Sequence, residues 1–330
     1  MVVSLGGTIA STPNEGGQGV VPQLTAHDLV AAVPQLREVA DIEALSFRQL
    51  PSGDLTLEDV VALARLIEDR VRADETIGGV VITQGTDTIE ETSFGLDLLL
   101  STDIPVVMTG AMRNPSLASP DGPGNVLSAV MVAASRASRG LGCLVVMNDE
   151  VHGARFVRKT HSSNLSTFQS PNGGRLGWVA EERVQIVARP PRLATIATGL
   201  VGEVGPVALV TCALGDDGRI LGCLESLGYN GAVLDAFGGG HVPAAMVDAV
   251  ANLVAAMPVV MCSRAGSGEV LAHTYGFRGS ESDILSRGVL SGGMLDGRKA
   301  RVALALAIAS TSGAPAAANL FVEIRDSLSA

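Results

Sequence analysis

Short runs of apolar, mostly β-branched residues alternate along the chain with longer stretches whose apolar positions recur at helical spacing. This alternation predicts an α/β fold with a doubly wound, mostly parallel sheet. In the first half of the chain, strands are predicted at residues 2–5, 80–83, 106–109 and 144–147. Amphipathic helices are predicted between them.

Two of these helices begin with recognisable end signals. Thr25 is a predicted N-cap, with Asp28 in the first turn of a helix that runs toward Val33. Asp87 and Glu90 have the spacing of a capping pair, which predicts that they open a helix running toward Leu100.

An aperiodic, proline-containing stretch at 189–206 separates two patterned regions. After it, strands are predicted at 207–211, 232–237 and 259–263, with helices at 243–257 and 297–310. At 330 residues the chain exceeds the usual size of one hydrophobic core. We therefore expect a larger N-terminal domain at 1–187, a linker at 188–205 and a smaller C-terminal α/β domain at 206–330.

Composition and charge narrow the class of protein. Hydrophobic residues make up 47% of the chain and charged residues only 17%, which supplies a large core and is unlike a disordered chain. The 34 acidic and 23 basic side chains give a net charge of -11 without a basic patch, so we expect no nucleic-acid binding. No apolar run approaches about 18 residues without polar breaks, and no membrane span is expected.

The cysteines and the start of the sequence bear on the cellular compartment. Cys143, Cys212, Cys223 and Cys262 are scattered without metal-ligand or redox spacing, so no metal site is expected. The chain also opens directly in a strand pattern, without the segments of a secretory leader. These features predict a cytoplasmic protein.

Two glycine turns carry the candidate chemistry. Gly6-Gly7-Thr8 follows the first predicted strand, and Gly85-Thr86 follows the strand predicted at 80–83. Ligands of open α/β sheets bind outside the carboxyl ends of the strands. We therefore expect both threonine hydroxyls to face the same pocket.

These two turns and the motifs at 105–113, 119–125, 146–149, 159–160 and 299–302 carry a family resemblance. The chain resembles the bacterial-type L-asparaginase/glutaminase family over almost its whole length. The resemblance implies hydrolysis of L-asparagine to L-aspartate and ammonia, with minor glutaminase activity. It also implies no metal or organic cofactor and a homotetramer built as a dimer of tight dimers.

The resemblance assigns catalytic roles to four residues. Thr8 matches the nucleophile, and Thr86, Asp87 and Lys159 match a second catalytic cluster. An unactivated amide is a poor electrophile, and passing through a threonine ester divides its hydrolysis into two easier steps. Lys159 is expected to move the proton, and the backbone N–H groups of the glycine turns are expected to bind the oxyanion.

The resemblance also implies how the substrate is bound. Asp87, with Thr86 beside it, matches the residue that contacts the α-ammonium. Ser52 matches the serine that binds the α-carboxylate. Ala111 matches a residue whose backbone carbonyl contacts the side-chain amide. His241 and Glu281 match residues that the family donates from a neighbouring subunit.

This chain departs from the family pattern at three places. Gly19 stands where many members carry a tyrosine that helps to activate the nucleophile, at the end of a segment, 14–19, predicted to be a flexible loop. Gly53 replaces a glutamine beside Ser52, which bears on the preference between asparagine and glutamine. Asp74 and Thr102 stand where periplasmic members form a disulfide.

Ordinary structural roles compete with each assignment. Thr8 suits a turn, Asp87 suits a helix cap, and Lys159, His241 and Glu281 suit an exposed surface. Two other functions also compete: the amide-hydrolysing subunit of a tRNA-dependent amidotransferase, and an amino-acid sensor without turnover. Ammonia release from asparagine by the purified protein distinguishes the three.

Overall fold

A computed structural model describes residues 1–13 and 19–328 of the chain. Contacts divide the chain into two compact units, Met1–Arg192 and Leu193–Ala330. Between 188 and 205, where the linker is predicted, the only helix is the 3-10 turn Thr198–Leu200. Of the predicted flexible loop, residues 14–18 lie outside the described part of the chain.

The first unit contains an eight-stranded sheet and two small antiparallel pairs. Its strands are β1 (Val2–Gly6), β2 (Ser11–Pro13), β3 (Val20–Pro22), β4 (Ala44–Leu50), β5 (Val80–Thr83), β6 (Val106–Thr109), β7 (Cys143–Met147), β8 (Glu150–Gly153), β9 (Arg158–Lys159), β10 (Phe168–Gln169), β11 (Gly177–Ala180) and β12 (Arg183–Ile186).

The order of strands in the large sheet is β12-β11-β8-β7-β6-β5-β1-β4. The five strands from β7 to β4 are parallel, whereas β8, β11 and β12 add an antiparallel edge. Strand β1 has β4 on one side and β5 on the other. The chain leaves β1 toward β4 but leaves β5 in the opposite direction, toward β6 and β7, so the winding direction reverses between β1 and β5. In such sheets the reversal opens a crevice at the carboxyl ends of the two strands, where ligands bind.

The helices of the first unit cover this sheet and build its core. They are α1 (Ala26–Ala31), α2 (Leu36–Val39), α3 (Leu57–Ala73), α4 (Ile89–Leu99) and α5 (Gly122–Ala134). Helix α5 packs on β5, β6 and β7, where Val81, Val107 and Leu144 share one core with Val126 and Val130. Helix α4 packs on β6, β7 and α3.

One predicted helix start is confirmed and the other is wrong. Thr25 caps α1 in a reciprocal capping box with Asp28. The N-cap of α4 is Thr88, without a side-chain cap hydrogen bond, so Asp87 and Glu90 are not a capping pair. Both carboxylates bind Lys159 instead. The spacing of Asp87 and Glu90 fits both a capping pair and two ligands of a distant residue. The distant residue, Lys159, lies 69 to 72 positions later in the chain, so local sequence does not distinguish the two roles.

The second unit is built on a parallel four-stranded sheet in the order β13-β14-β15-β16. Its elements are β13 (Val207–Thr211), β14 (Gly231–Ala236), α6 (Val247–Ala256), β15 (Val259–Ser263), α7 (Glu281–Ser286), β16 (Leu290–Ser291), α8 (Gly297–Ala309) and α9 (Ala314–Asp326). The strands predicted at 207–211 and 259–263 are confirmed. The helix predicted from 243 is wrong in its first turn, because Ala244–Met246 is a 3-10 helix and α6 begins at Val247.

Among the described residues, every helix is too short or too polar to cross a membrane.

Candidate active site

The turns that follow β1 and β5 touch each other through glycine backbone. Gly6 and Gly7 have φ angles of 97° and 84°. A Cβ atom added to Gly7 would lie 2.1 Å from the nitrogen of Gly85, and one added to Gly85 would lie 2.8 Å from Ser52 Oγ. Only glycine allows three loops to approach this closely. The crevice at the winding reversal thus brings the Thr8, Ser52 and Thr86 turns together.

Thr8 opens a 3-10 helix, Thr8–Ala10, directly after this contact. Below it, the Gly7 carbonyl accepts hydrogen bonds from the Ala10 nitrogen, at 3.0 Å, and from Ser11 Oγ, at 2.8 Å. The Thr8 side chain is half-buried. Gly19 is exposed, with open space around a Cβ position. The hydrogen bonds to the Gly7 carbonyl hold the backbone of the Thr8 turn in place.

Thr86, Asp87 and Lys159 form one hydrogen-bonded cluster. Lys159 Nζ donates to Thr86 Oγ1 at 2.8 Å and to Asp87 Oδ1 at 2.6 Å. The Lys159 side chain is 13% exposed, whereas that of Asp87 is 78% exposed. The arrangement places an amine against the Thr86 hydroxyl and leaves most of the Asp87 carboxylate accessible to a second cation.

Ser52 is anchored through Thr88. The Thr88 hydroxyl donates to the Ser52 carbonyl at 2.9 Å and accepts from Gln84 Nε2 at 3.0 Å. Ser52 and Gln84 are both buried. Gly53 is exposed, and a Cβ atom there would meet nothing within 4 Å. A Cβ atom therefore fits at Gly53 without displacing Ser52.

The loop that carries Ala111 is held by two polar side chains from the start of α5. Asp121 accepts hydrogen bonds from the Met112 nitrogen at 3.0 Å and from the Arg113 nitrogen at 2.8 Å. Asn125 Nδ2 donates at 3.0 Å to the Gly110 carbonyl. These bonds fix the backbone on both sides of Ala111, which is fully buried. The sequence motif at 119–125 indicated family resemblance, and the structure gives Asp121 and Asn125 this positioning role, which the sequence reasoning missed.

Ala111 and Thr86 also belong to neighbouring loops. A Cβ atom added to Gly110 would lie 3.2 Å from Thr86 Cγ2, and one added to Gly122 would lie 3.5 Å from Ala111 Cβ. The structure therefore brings five of the predicted site segments together in the first unit: the turns of Thr8, Ser52 and Thr86–Asp87, the Ala111 loop, and Lys159.

His241 and Glu281 lie together in the second unit, with His241 Nε2 3.2 Å from Glu281 Oε2. The interpretation of Glu281 as an exposed acid is wrong, because its side chain is fully buried. Its Oε1 accepts hydrogen bonds from the Thr274 and Tyr275 nitrogens at 2.8 and 2.7 Å. Burial favours a raised pKa for Glu281, but these hydrogen bonds and His241 outweigh it and hold the pKa below its ordinary value.

Among the described residues, no three His, Cys, Asp or Glu side chains are grouped to hold a metal ion. The residues that do converge are hydroxyls, an amine and a carboxylate. Hydroxyl nucleophiles beside an amine and a carboxylate are suited to acyl transfer through a covalent ester.

Comparisons with known proteins agree with this arrangement. Residues 1–192 match the family model "Asparaginase, N-terminal", and residues 206–321 match "Glutaminase/Asparaginase C-terminal domain". An L-asparaginase of Bacillus licheniformis is 35% identical over 94% of this chain and 95% of its own. A probable periplasmic L-asparaginase of Haemophilus influenzae is 35% identical over 94% of this chain and 88% of its own.

A solved structure has the same fold. The crystal structure of a probable cytoplasmic L-asparaginase from Campylobacter jejuni superposes with a TM-score of 0.86 at 32% identity, covering 97% of this chain and 98% of that one. The fold and the family models define an amidohydrolase. The chain belongs to the asparaginase family, as its sequence motifs predicted.

Proposed function

We propose that this protein is an L-asparaginase, which hydrolyses the side-chain amide of L-asparagine to L-aspartate and ammonia. The observation that carries the proposal is the position of Lys159 Nζ, 2.8 Å from Thr86 Oγ1 and 2.6 Å from Asp87 Oδ1, beside the Thr8 turn. Relatives that bear the name L-asparaginase match nearly the whole chain and support the same substrate.

In this proposal Thr8 is the nucleophile. Its Oγ1 attacks the amide carbon, the hydroxyl proton passes to the leaving nitrogen, and the C–N bond breaks to release ammonia and leave a threonine ester. Thr86 and Lys159 then take a proton from the water that attacks the ester and return it to the departing Thr8 oxygen, which releases L-aspartate and restores the Thr8 hydroxyl. Backbone N–H groups of the glycine turns bind the oxyanion of each step.

The substrate is held by groups of opposite charge and polarity. Asp87, whose carboxylate is largely exposed beside Lys159, pairs with the α-ammonium. Ser52 binds the α-carboxylate, and the Ala111 carbonyl accepts from the side-chain amide. Because Gly53 carries no side chain, the site lacks an amide that favours the longer substrate, and glutamine turnover is minor.

Ammonia release by the purified protein tests the proposal directly. We expect strong release from L-asparagine by the protein alone, and a loss of about 10³-fold or more in kcat for Thr8→Ala and for Thr86→Ala. Circular dichroism of both variants checks that the fold survives. A Thr8→Ala activity within about tenfold of the parent contradicts the nucleophile assignment. No release by the parent favours a sensor, and release only with an added subunit favours an amidotransferase component.

We also propose that the protein forms a homotetramer in which the His241–Glu281 pair of one subunit completes the site of its partner. His241, whose side chain is 22% exposed, is the member of the pair that a partner's site can reach, and the fully buried Glu281 holds it at 3.2 Å. Glu281→Gln retains the acceptor for the two backbone hydrogen bonds and removes the charge that faces His241. Thr8→Ala and Glu281→Gln chains should each be nearly inactive. When they are co-expressed, random pairing leaves about a quarter of the sites with neither defect, because each two-fold interface is reciprocal. A co-purified mixture that is as inactive as either variant alone contradicts the shared site.

A cytoplasmic location is the last part of the proposal. It is supported by the burial of three free thiols, those of Cys143, Cys212 and Cys262, and by the structural likeness to a probable cytoplasmic enzyme. Fractionation of cells that express the protein from its native gene tests it, and recovery in the periplasmic fraction contradicts it.

A further inference from the structure

The amine of Lys159 is held in place, but the strand that carries it is short. β9 contains only Arg158 and Lys159 and pairs with the equally short β10. A lysine side chain has four methylene groups and many rotamers, so the position of Nζ depends on how firmly its backbone is fixed. The ladder between β9 and β10 pairs two residues on each side.

A buried carboxylate adds an anchor from outside this ladder. Glu90 Oε2 accepts a hydrogen bond from the Lys159 nitrogen at 3.0 Å, and the Glu90 residue is 1% exposed. Glu90 lies in the first turn of α4, directly after the 3-10 helix Thr86–Thr88. Within five consecutive residues, therefore, Thr86 and Asp87 bind the amine of Lys159 and Glu90 binds its backbone.

We infer that Glu90 is a positioning residue for catalysis, which sets the distance between Lys159 Nζ and Thr86 Oγ1 by fixing the Lys159 backbone to the same turn. This inference rests on the proposed function, because it takes Lys159 and Thr86 as catalytic. Because all three acceptors belong to one continuous helical segment, a shift of that segment moves them together and preserves the geometry of the amine.

The same helix offers a matched control. Asp97, also in α4, is 1% exposed, and its Oδ1 accepts a hydrogen bond from the Cys143 nitrogen at 2.9 Å. Glu90 and Asp97 are thus both buried carboxylates that bind a strand N–H group. Only Glu90 binds the strand that carries the lysine, so a purely structural role predicts similar consequences for both.

The kinetic test compares two conservative variants. Glu90→Gln retains the length and an acceptor oxygen but loses the charge, whereas Glu90→Asp retains the charge but withdraws the acceptor by one methylene. We expect kcat for asparagine to fall about 10- to 100-fold in Glu90→Asp and to stay within about threefold in Glu90→Gln, because a displacement near 1 Å has effects of this size. KM should change less than kcat in both variants.

Three kinetic results overturn the inference: an unchanged kcat in Glu90→Asp, a loss in Glu90→Gln as large as in Glu90→Asp, or an equal loss in Asp97→Ala. Asp97→Ala is expected to lower the unfolding temperature while kcat stays within about threefold, because it removes the acceptor of the Cys143 nitrogen and the carboxylate that pairs with Arg155, not a group that binds Lys159.

A crystal structure of each Glu90 variant tests the inference without relying on turnover. In Glu90→Asp the distance between Lys159 Nζ and Thr86 Oγ1 should exceed hydrogen-bonding range, and in Glu90→Gln it should remain near the 2.8 Å of the parent. Parent-like geometry in Glu90→Asp overturns the positioning role. A parent that releases no ammonia refutes the proposed function instead, so the two failures are distinguishable.

Discussion

Replacing Gly7 by alanine should separate the two catalytic turns. Gly7 has φ 84° and ψ -172°, a region of backbone space that is essentially restricted to glycine. The new Cβ would lie 2.1 Å from the Gly85 nitrogen, and ordinary contact begins at 3.4 Å, so the turns must part by 3.4 − 2.1, about 1.3 Å. The neighbouring atoms belong to backbone, which cannot rotate away as a side chain can.

The cost has a stability part and a kinetic part. Backbone strain contributes about 1–3 kcal/mol and overpacking about 1–3 kcal/mol, so the free energy of unfolding should fall by roughly 2–6 kcal/mol. A shift near 1 Å between Thr8 and the Thr86–Lys159 pair should lower kcat by about 10²-fold.

The assay is ammonia release at a temperature at which circular dichroism shows the variant to be folded. Gly140→Ala is the control, because Gly140 also has a positive φ, 72°, but a Cβ there meets nothing within 4 Å. It should lose about 1–2 kcal/mol and stay within about twofold of the parent in kcat. A folded Gly7→Ala variant that keeps more than about a tenth of the parental kcat refutes the reasoning.

Three further outcomes are expected. Gly53→Gln fits in open space and should raise the ratio of glutamine to asparagine kcat/KM, and an unchanged ratio contradicts this. Burial lowers the pKa of His152 to about 4. As the pH falls from about 6.5 to 4, the unfolded chain binds more protons at this residue than the folded chain, so the free energy of unfolding should fall by up to about 3 kcal/mol. Urea titrations of His152→Gln should lack this contribution to the pH dependence of the free energy of unfolding. Burial raises the pKa of the Cys143 and Cys262 thiols, and that of Cys212 to about 11. Ellman's reagent should therefore modify one thiol per native chain, that of the exposed Cys223, and Cys223→Ser should remove the reaction.

Local features were predictable from sequence. The strands at 80–83, 106–109, 207–211 and 259–263 coincide with the observed ones. The Thr25 capping box also formed as predicted. Each depends on the periodicity or end signal of a few consecutive residues, which a sequence displays directly.

Features that depend on distant partners were not predictable in this way. Glu90 has the spacing of a cap but binds Lys159, 69 residues later. Glu281 lies in a polar run, Ser280-Glu281-Ser282-Asp283, yet is fully buried because the backbone of 274–275 supplies hydrogen bonds. The antiparallel edge formed by β8, β11 and β12 was also missed, since short strands without strict alternation carry little signal.

Short contiguous motifs were enough to predict the α/β class, the two glycine turns after strands and the family to which the chain belongs. Which of these motifs come into contact depends on the packing of the folded chain. The order of the strands places the winding reversal between β1 and β5, and that placement puts Gly7 against Gly85. The pairing of β9 with β10 and the carboxylate of Glu90 then bring Lys159 to Thr86, across 73 residues of chain. Such contacts follow from the packing of the whole unit, which no local stretch of sequence specifies.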